Sequence, residues 1–241
     1  MAERGHGKYI DTPVETGGET VVAAAGGTCR KVLVCRPGDG SGGTSVPRHV
    51  VAERDSVTEL CIMVLPGADA DIPLTVDIVG EGASVSITGL YICGAGEKVS
   101  FRIRVNHRCP RSFSKQLFNG IAGGNSSVSF DGRITVAPGA DGTEAYQENH
   151  NILLSDEATV RTEPQLEIYA DDVKCSHGAT TGRLNEEEQF YMRSRGIPES
   201  EARVLQIISF LSPIVASAGG DREALAAEVE TAVRRISGQS L

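Results

Sequence analysis

Three features of the sequence predict a mainly β protein with a short helical tail. Apolar and polar residues alternate with period two in successive runs from about residue 20 to about residue 180. Turn-forming dipeptides interrupt those runs at intervals of roughly ten residues, the spacing of short strands joined by tight reversals. The chain holds 28 Gly and no Trp, and aromatic residues make up only 5% of it. That mixture suits small and β-branched side chains stacked between turns, and would be odd in a helix bundle.

Taken in order, residues 1–18 are polar, lack periodic apolar partners, and read as a loose leader. Strand runs follow at Val21-Val22-Ala23, then KVLVC (31–35), LCIMV (60–64), LTVDIV (74–79), VSIT (85–88) and VSFRIRV (99–105). Turn signals separate them: Pro37-Gly38-Asp39-Gly40, Pro66-Gly67, Gly80-Glu81-Gly82, Asp131-Gly132, Pro138-Gly139 and Asp141-Gly142. A sandwich, a barrel and a β-helix all fit this pattern, and periodicity does not choose among them. The Asp-Gly pairs favour hairpins, the many small residues favour a solenoid, and no internal repeat stands out.

The texture changes after Gly182. Asn185 caps a helix with Glu188 at its N3 position, followed by Phe190, Tyr191 and the stems of Arg193 and Arg195, and Gly196 ends it. Pro198 suits the first turn of a second helix carrying Val204, Leu205, Ile207, Ile208 and Leu211, which Pro213 stops or kinks. Gly219-Gly220 breaks the chain and Asp221 caps a third helix, with Leu225, Val229, Val233 and Ile236 in one apolar stripe. The expected organisation is a leader over 1–18, a β core over 19–182 and a helical segment over 183–241.

At 241 residues the chain can bury a full core, and 40% hydrophobic with 23% charged residues is the balance of a globular protein. No apolar run approaches the ~20 residues that cross a bilayer, and the first residues carry no signal peptide, so a cytoplasmic location is expected. A formal charge of −9 argues against nucleic acid and against anionic membrane as partners. Cys29, Cys35, Cys61, Cys93, Cys109 and Cys175 are scattered, with no C-x-x-C pair. They read as reduced and mostly buried rather than as a disulfide framework or a zinc ribbon.

Residues 105–215 resemble the SufB/SufD family, in its SufD-type branch. The match is carried by residues 105–114, 131–139 and 145–155, by QLEIYADDVKCSHGAT (165–180) and by FYMRSRGI (190–197), and the run around KCSHGAT is highly specific. Residues 20–104 fit more loosely, as earlier coils. The resemblance implies a right-handed parallel β-helix (solenoid) followed by a short C-terminal α-helical segment. With a repeat in the low twenties of residues, roughly seven coils are expected. It also implies a non-enzymatic scaffold for iron–sulfur cluster assembly, working with a SufB-like subunit and a SufC-like ATPase that docks on the helical end. No cofactor is expected to be tightly bound to the isolated chain; iron or an iron–sulfur cluster sits transiently at the SufB–SufD junction. Two departures stand out. The residues before Thr20 are too few for the N-terminal helical domain of longer members. Ala158, in LLSDEA, replaces the cysteine that SufB proteins use, so this chain is not expected to accept sulfur.

Cys175 and His177 are the metal-site candidates. Two apart in a strand, they share one face, and thiolate sulfur and imidazole nitrogen both bind iron. From spacing alone Cys175 reads as core filling and His177 as an ordinary edge residue; the resemblance places both at the junction, His177 above all. Asp171 and Asp172 read as turn residues, Glu148 and His150 as surface or interface polarity, and His107 as a packing or junction residue. His6 and His49 have no supporting context. Arg193 and Arg195 are not neighbours on one helix face, which leaves partner contact rather than anion binding. Tyr191, Ile197, Ile207 and Phe210 read as a docking surface or as helix packing. Without a SufB-like partner the chain is expected to form a two-fold homodimer through strands near 161–176.

No nucleophile elbow, phosphate loop or zincin motif is present, and no residue is assigned a catalytic role. Two other readings remain: a stand-alone self-associating homologue that has lost cluster assembly, and a β-helix polysaccharide lyase or hydrolase. The second needs aromatic sugar platforms, and five Tyr, six Phe and no Trp supply few.

Overall fold

The structure is a computed structural model and describes residues 20–38 and 46–238. His6 and the leader, together with part of the Pro37-to-Gly40 turn signal, lie outside the described residues. Twelve strands form first: β1 (Thr20–Ala23), β2 (Thr28–Cys35), β3 (His49–Ala52), β4 (Val57–Val64), β5 (Ala70–Ile78), β6 (Ser84–Cys93), β7 (Lys98–His107), β8 (Phe113–Ala122), β9 (Ser127–Val136), β10 (Thr143–Leu153), β11 (Thr159–Ile168) and β12 (Val173–Gly182). Three helices follow: α1 (Glu186–Ser194), α2 (Glu199–Ser217) and α3 (Arg222–Ile236).

Successive strands alternate between two parallel six-stranded sheets, one ordered β1-β3-β5-β7-β9-β11 and the other β12-β10-β8-β6-β4-β2. The chain is a parallel β solenoid of about five turns, not the seven expected. Side-chain hydrogen bonds between neighbouring coils join residues 28 (His49–Asp77), 30 (Lys174–Glu144) and 32 (Arg133–Gln165) positions apart. The repeat is longer than the low twenties because each full coil carries two strands of up to eleven residues and two corners. Asp131-Gly132 is not a turn: it lies mid-strand in β9, where Gly132 pairs with Ile103 and Pro164. Pro66-Gly67, Pro138-Gly139 and Asp141-Gly142 do turn, with positive φ at each Gly.

Alternation sends the two faces of a strand to two different cores. In β4, Leu60, Ile62 and Val64 point between the sheets, while Cys61 and Met63 point outward under the helices. That explains the continuous apolar run LCIMV, which needs burial on both sides. The outer core adds Leu90, Ile92 and Ile121 and is roofed by Val204, Ile207, Leu211 and Ile214 of α2 and Val229 and Val233 of α3. Pro213 sits inside α2 rather than ending it. Asn185 accepts from the Glu187 and Glu188 backbone N–H groups, and Asp221 from Ala224, so both capping residues act as their sequence positions suggest. Arg36 pairs with Glu228 at 2.6 and 2.8 Å, tying α3 back to the first coils. Among the described residues no helix is long and apolar enough to cross a membrane. Cys29, Cys35, Cys61 and Cys93 are buried, and Cys109 and Cys175 half-buried.

The inner core fits by alternating large and absent side chains along its columns. Tyr91 lies in register with Gly120, and a Cβ at Gly120 would fall inside the Tyr91 ring. The ring is held from its far end, where the hydroxyl donates to Asn151 Oδ1 at 2.6 Å. Gly120→Ala is therefore expected to destabilise the fold by about 1–3 kcal/mol, the usual cost of overpacking. A lowered denaturant midpoint with unchanged slope would register it; equal midpoints would mean the ring moves aside freely.

Candidate functional site

The site grows from the way the solenoid ends. Among the described residues β11 and β12 each pair on one side only, leaving one backbone edge of each open. Their core-facing side chains also lose the coil that would cover them. In β11 these are Val160, Thr162, Pro164, Leu166 and Ile168, in register with the buried Val128, Phe130, Gly132, Ile134 and Val136 of the coil before. Ile168 is 41% exposed and the adjoining Tyr169 61%.

In β12 the core-facing positions include Cys175 and His177, which pair with Ala145 and Gln147 of β10. The two side chains thus share the face that the sequence assigned them, at the mouth of the inner core. Cys175 is half-buried and packs against that core, while His177 is exposed. Burial pushes the Cys175 thiol up from its ordinary value, and a backbone hydrogen bond with Ala145 offsets part of that. Among the described residues no group of three or more His, Cys, Asp and Glu side chains is arranged to hold a metal ion. Cys175 and His177 are a pair of potential ligands, and a tetrahedral site needs four.

Beneath them the core changes character in a way the sequence analysis missed. One column runs Leu60, Ile87, Gln116, Gln147, His177, and a second runs Gly89, Phe118, Asn149, Ala179. Gln116, Gln147 and Asn149 are fully buried, and Asn151 is nearly so. Gln147 Nε2 donates to Gln116 Oε1 at 3.0 Å, and Asn151 Nδ2 donates to Asn149 Oδ1 at 2.8 Å and to the Thr180 carbonyl at 3.0 Å. Toward its open end the apolar interior thus becomes an amide-lined one. The signal lay in Gln147, Asn149 and Asn151, polar at strand period beside an equally polar opposite face.

The remaining candidates sort cleanly. His107 is wholly buried, its Nδ1 and Nε2 bonded to the Ser112 and Ser114 hydroxyls at 2.7 and 2.8 Å, and burial lowers its pKa to about 4. It packs the interior, on a strand two places in from the open edge. Asp171 and Asp172 form an exposed bend, and the Asp172 carbonyl accepts from Gly142 N–H at 2.6 Å. His150 contacts Thr180 Oγ1 at 2.9 Å and Glu148 at 3.6 Å on the outer face of the sheet. His49 pairs with Asp77 at 2.8 Å, far from the open coil. Arg193 reaches Glu199 at 3.4 Å and Arg195 lies over the Tyr191 ring at 5.0 Å, so the two do not converge.

A second feature lies on the helical side. Helix α1 buries none of its residues, and Phe190 and Tyr191 are 73% and 58% exposed. Together with α2 and the end of β10 it encloses a groove of about 900 Å³ lined by Ile152, Leu184, Tyr191, Met192, Leu205 and Phe210 among others. Ile207, grouped with Tyr191 in the sequence as a candidate docking residue, is instead fully buried under the helices.

Residues 18–210 match the family model described as SUF system FeS cluster assembly, SufBD core domain. The iron–sulfur cluster assembly protein SufD of Escherichia coli (strain K12) is 40% identical over 135 residues, 56% of this chain and 32% of that protein. An iron–sulfur cluster assembly SufBD family protein of Mycobacterium bovis is 32% identical over 192 residues, 76% of this chain and 48% of its own length. SufD of Bacillus subtilis (strain 168) is 31% identical over 169 residues, 70% of this chain and 38% of that protein. The chain thus spans about a third to a half of the length of these curated relatives.

Proposed function

The chain belongs to the SufBD family of iron–sulfur cluster assembly proteins, and on that premise we propose that it serves as the SufD-like half of a scaffold on which clusters are built. The observation that carries this reading is the uncovered last coil, with Cys175 and His177 on its core-facing side and, among the described residues, two strand edges unpaired. Two ligands do not complete an iron site, so a second protein must close the coil and bring the rest. A SufB-like subunit is the proposed partner. Iron, sulfide and the growing cluster pass through the junction as cargo. The chain's own part is to hold and to orient.

His177 offers an exposed imidazole, and Cys175 a thiol that must lose its proton to bind iron. Burial pushes that thiol up, so binding iron through Cys175 has to release a proton. Ala158 is buried and carries no thiol, in keeping with a sulfur acceptor on the partner. ATP hydrolysis is likewise assigned to a partner, a SufC-like ATPase seated on the groove beside α1, where Phe190, Tyr191 and Leu205 present apolar surface.

The direct test is co-purification. Expressed with SufB-like and SufC-like proteins of the same organism, the chain is expected to elute with both as one complex that takes up iron and sulfide. Elution apart from both partners, with cluster formed on the SufB-like protein alone, would favour the stand-alone homologue.

A further inference from the structure

Gln147 is fully buried, yet only one end of its amide is used. Nε2 donates to Gln116 Oε1, while Oε1 has no hydrogen-bond partner among the described residues. The side chain also has a place made for it. A Cβ on Gly132, across the core in β9, would overlap the Gln147 amide. Glycine is unfavourable within a strand unless something fills the space it leaves, and here that amide fills it together with the Phe130 ring.

The next member of the column is His177, the register partner of Gln147 on the same face, one strand spacing of about 4.8 Å away. A carbonyl oxygen can only accept, and an imidazole carries the N–H it needs. We propose that Gln147 is a positioning residue for His177: its free Oε1 accepts one ring N–H and fixes the tautomer that leaves the other nitrogen's lone pair directed out of the open coil. An imidazole that receives a metal works this way, with one nitrogen unprotonated for the metal and the other held by a fixed acceptor. The inference rests on the reading of His177 as an iron ligand, but its first readout does not.

Long-range ¹⁵N–¹H correlation spectra of the full chain, recorded without metal at a pH of about 8, where imidazole is neutral, report the tautomer directly. The parent chain is expected to show one tautomer for His177. Gln147→Glu, which keeps an acceptor and can take a hydrogen bond from the unpartnered Gln116 Nε2, is expected to retain it. Gln147→Met, similar in size but without a strong acceptor, and Gly132→Ala, whose Cβ displaces the amide along with the Phe130 ring without altering either, are each expected to give both tautomers. In the complex with a SufB-like subunit, the Met variant is expected to bind ferrous iron about 10–100-fold more weakly, the usual cost of losing such a support, with the Glu variant restoring it. A mixture in the parent chain, or a single tautomer surviving in the Met variant, would overturn the proposal. Should the Met variant not fold, Gly132→Ala and the parent spectrum decide it. A fixed tautomer together with full cluster assembly by a His177→Ala complex would instead remove the iron reading and leave the positioning intact.

Discussion

Replacing His177 by alanine is expected to lower cluster yield on the reconstituted complex at least tenfold while leaving the fold unchanged. The size follows from chemistry: removing even a residue that supports a metal ligand costs about 10–100-fold in affinity, and removing a ligand costs no less. The unchanged fold follows from position. The His177 side chain is exposed on β12, so its loss opens no cavity. Visible absorption and acid-labile sulfide measure the yield, and thermal unfolding of the isolated chain is the control. Cys175→Ser serves as the companion variant, testing the half-buried thiol apart from the imidazole. Equal yields from the His177→Ala and parent complexes would make His177 an ordinary edge residue.

A negative charge at Ile168 is the second large effect. Ile168 faces the core direction of the uncovered coil and is 41% exposed, so Ile168→Glu changes little within the chain itself. Any partner that closes the coil would bury that carboxylate without a counter-charge, which typically costs about 2–5 kcal/mol, a loss of affinity of roughly 30-fold to several thousandfold. Without a SufB-like protein, the parent chain is expected to sediment as a two-fold dimer joined through strands β11 and β12, and Ile168→Glu as a monomer. The same variant is expected to lose the SufB-like subunit yet keep the ATPase, whose proposed seat lies on the helices. A parent chain that is monomeric at high concentration would show that its open edges do not pair with one another.

Strands, helix caps and the paired placement of Cys175 and His177 were legible in the sequence because each depends on neighbours within a few residues. Asn185 and Asp221 cap as their identities suggest, and period two alone puts residues 175 and 177 on one face. What local pattern does not carry is pairing between distant strands. Period-two alternation is the same in a hairpin as in a parallel coil, so the choice of solenoid came from the resemblance around KCSHGAT. The number of turns was missed because the repeat length is set by corners that the alternation does not mark. Asp131-Gly132 misled for the same reason: its glycine answers to Gln147 on another strand, not to a turn. The helices, too, look like a separable tail in the sequence. In the structure α2 and α3 roof Cys61, Met63, Leu90 and Ile92, so removing them would strip one face of the β sheet.

That roof also sets a timetable. In a solenoid most pairing is between adjacent coils, and each turn can form on the one before it as the chain leaves the ribosome. The outer face of the early coils is different, because what covers it, α2 and α3, is made long after those coils. Arg36 and its partner Glu228 are 192 residues apart, and at typical synthesis rates of 5–20 residues per second that interval is on the order of ten to forty seconds. For much of that time, until α2 and α3 are made, Cys61, Met63 and Leu90 lie on a growing sheet with water or a chaperone as their only cover. Slow translation between β6 and α3 therefore prolongs the exposure of a sticky nascent surface, whereas slowing before β2 does not.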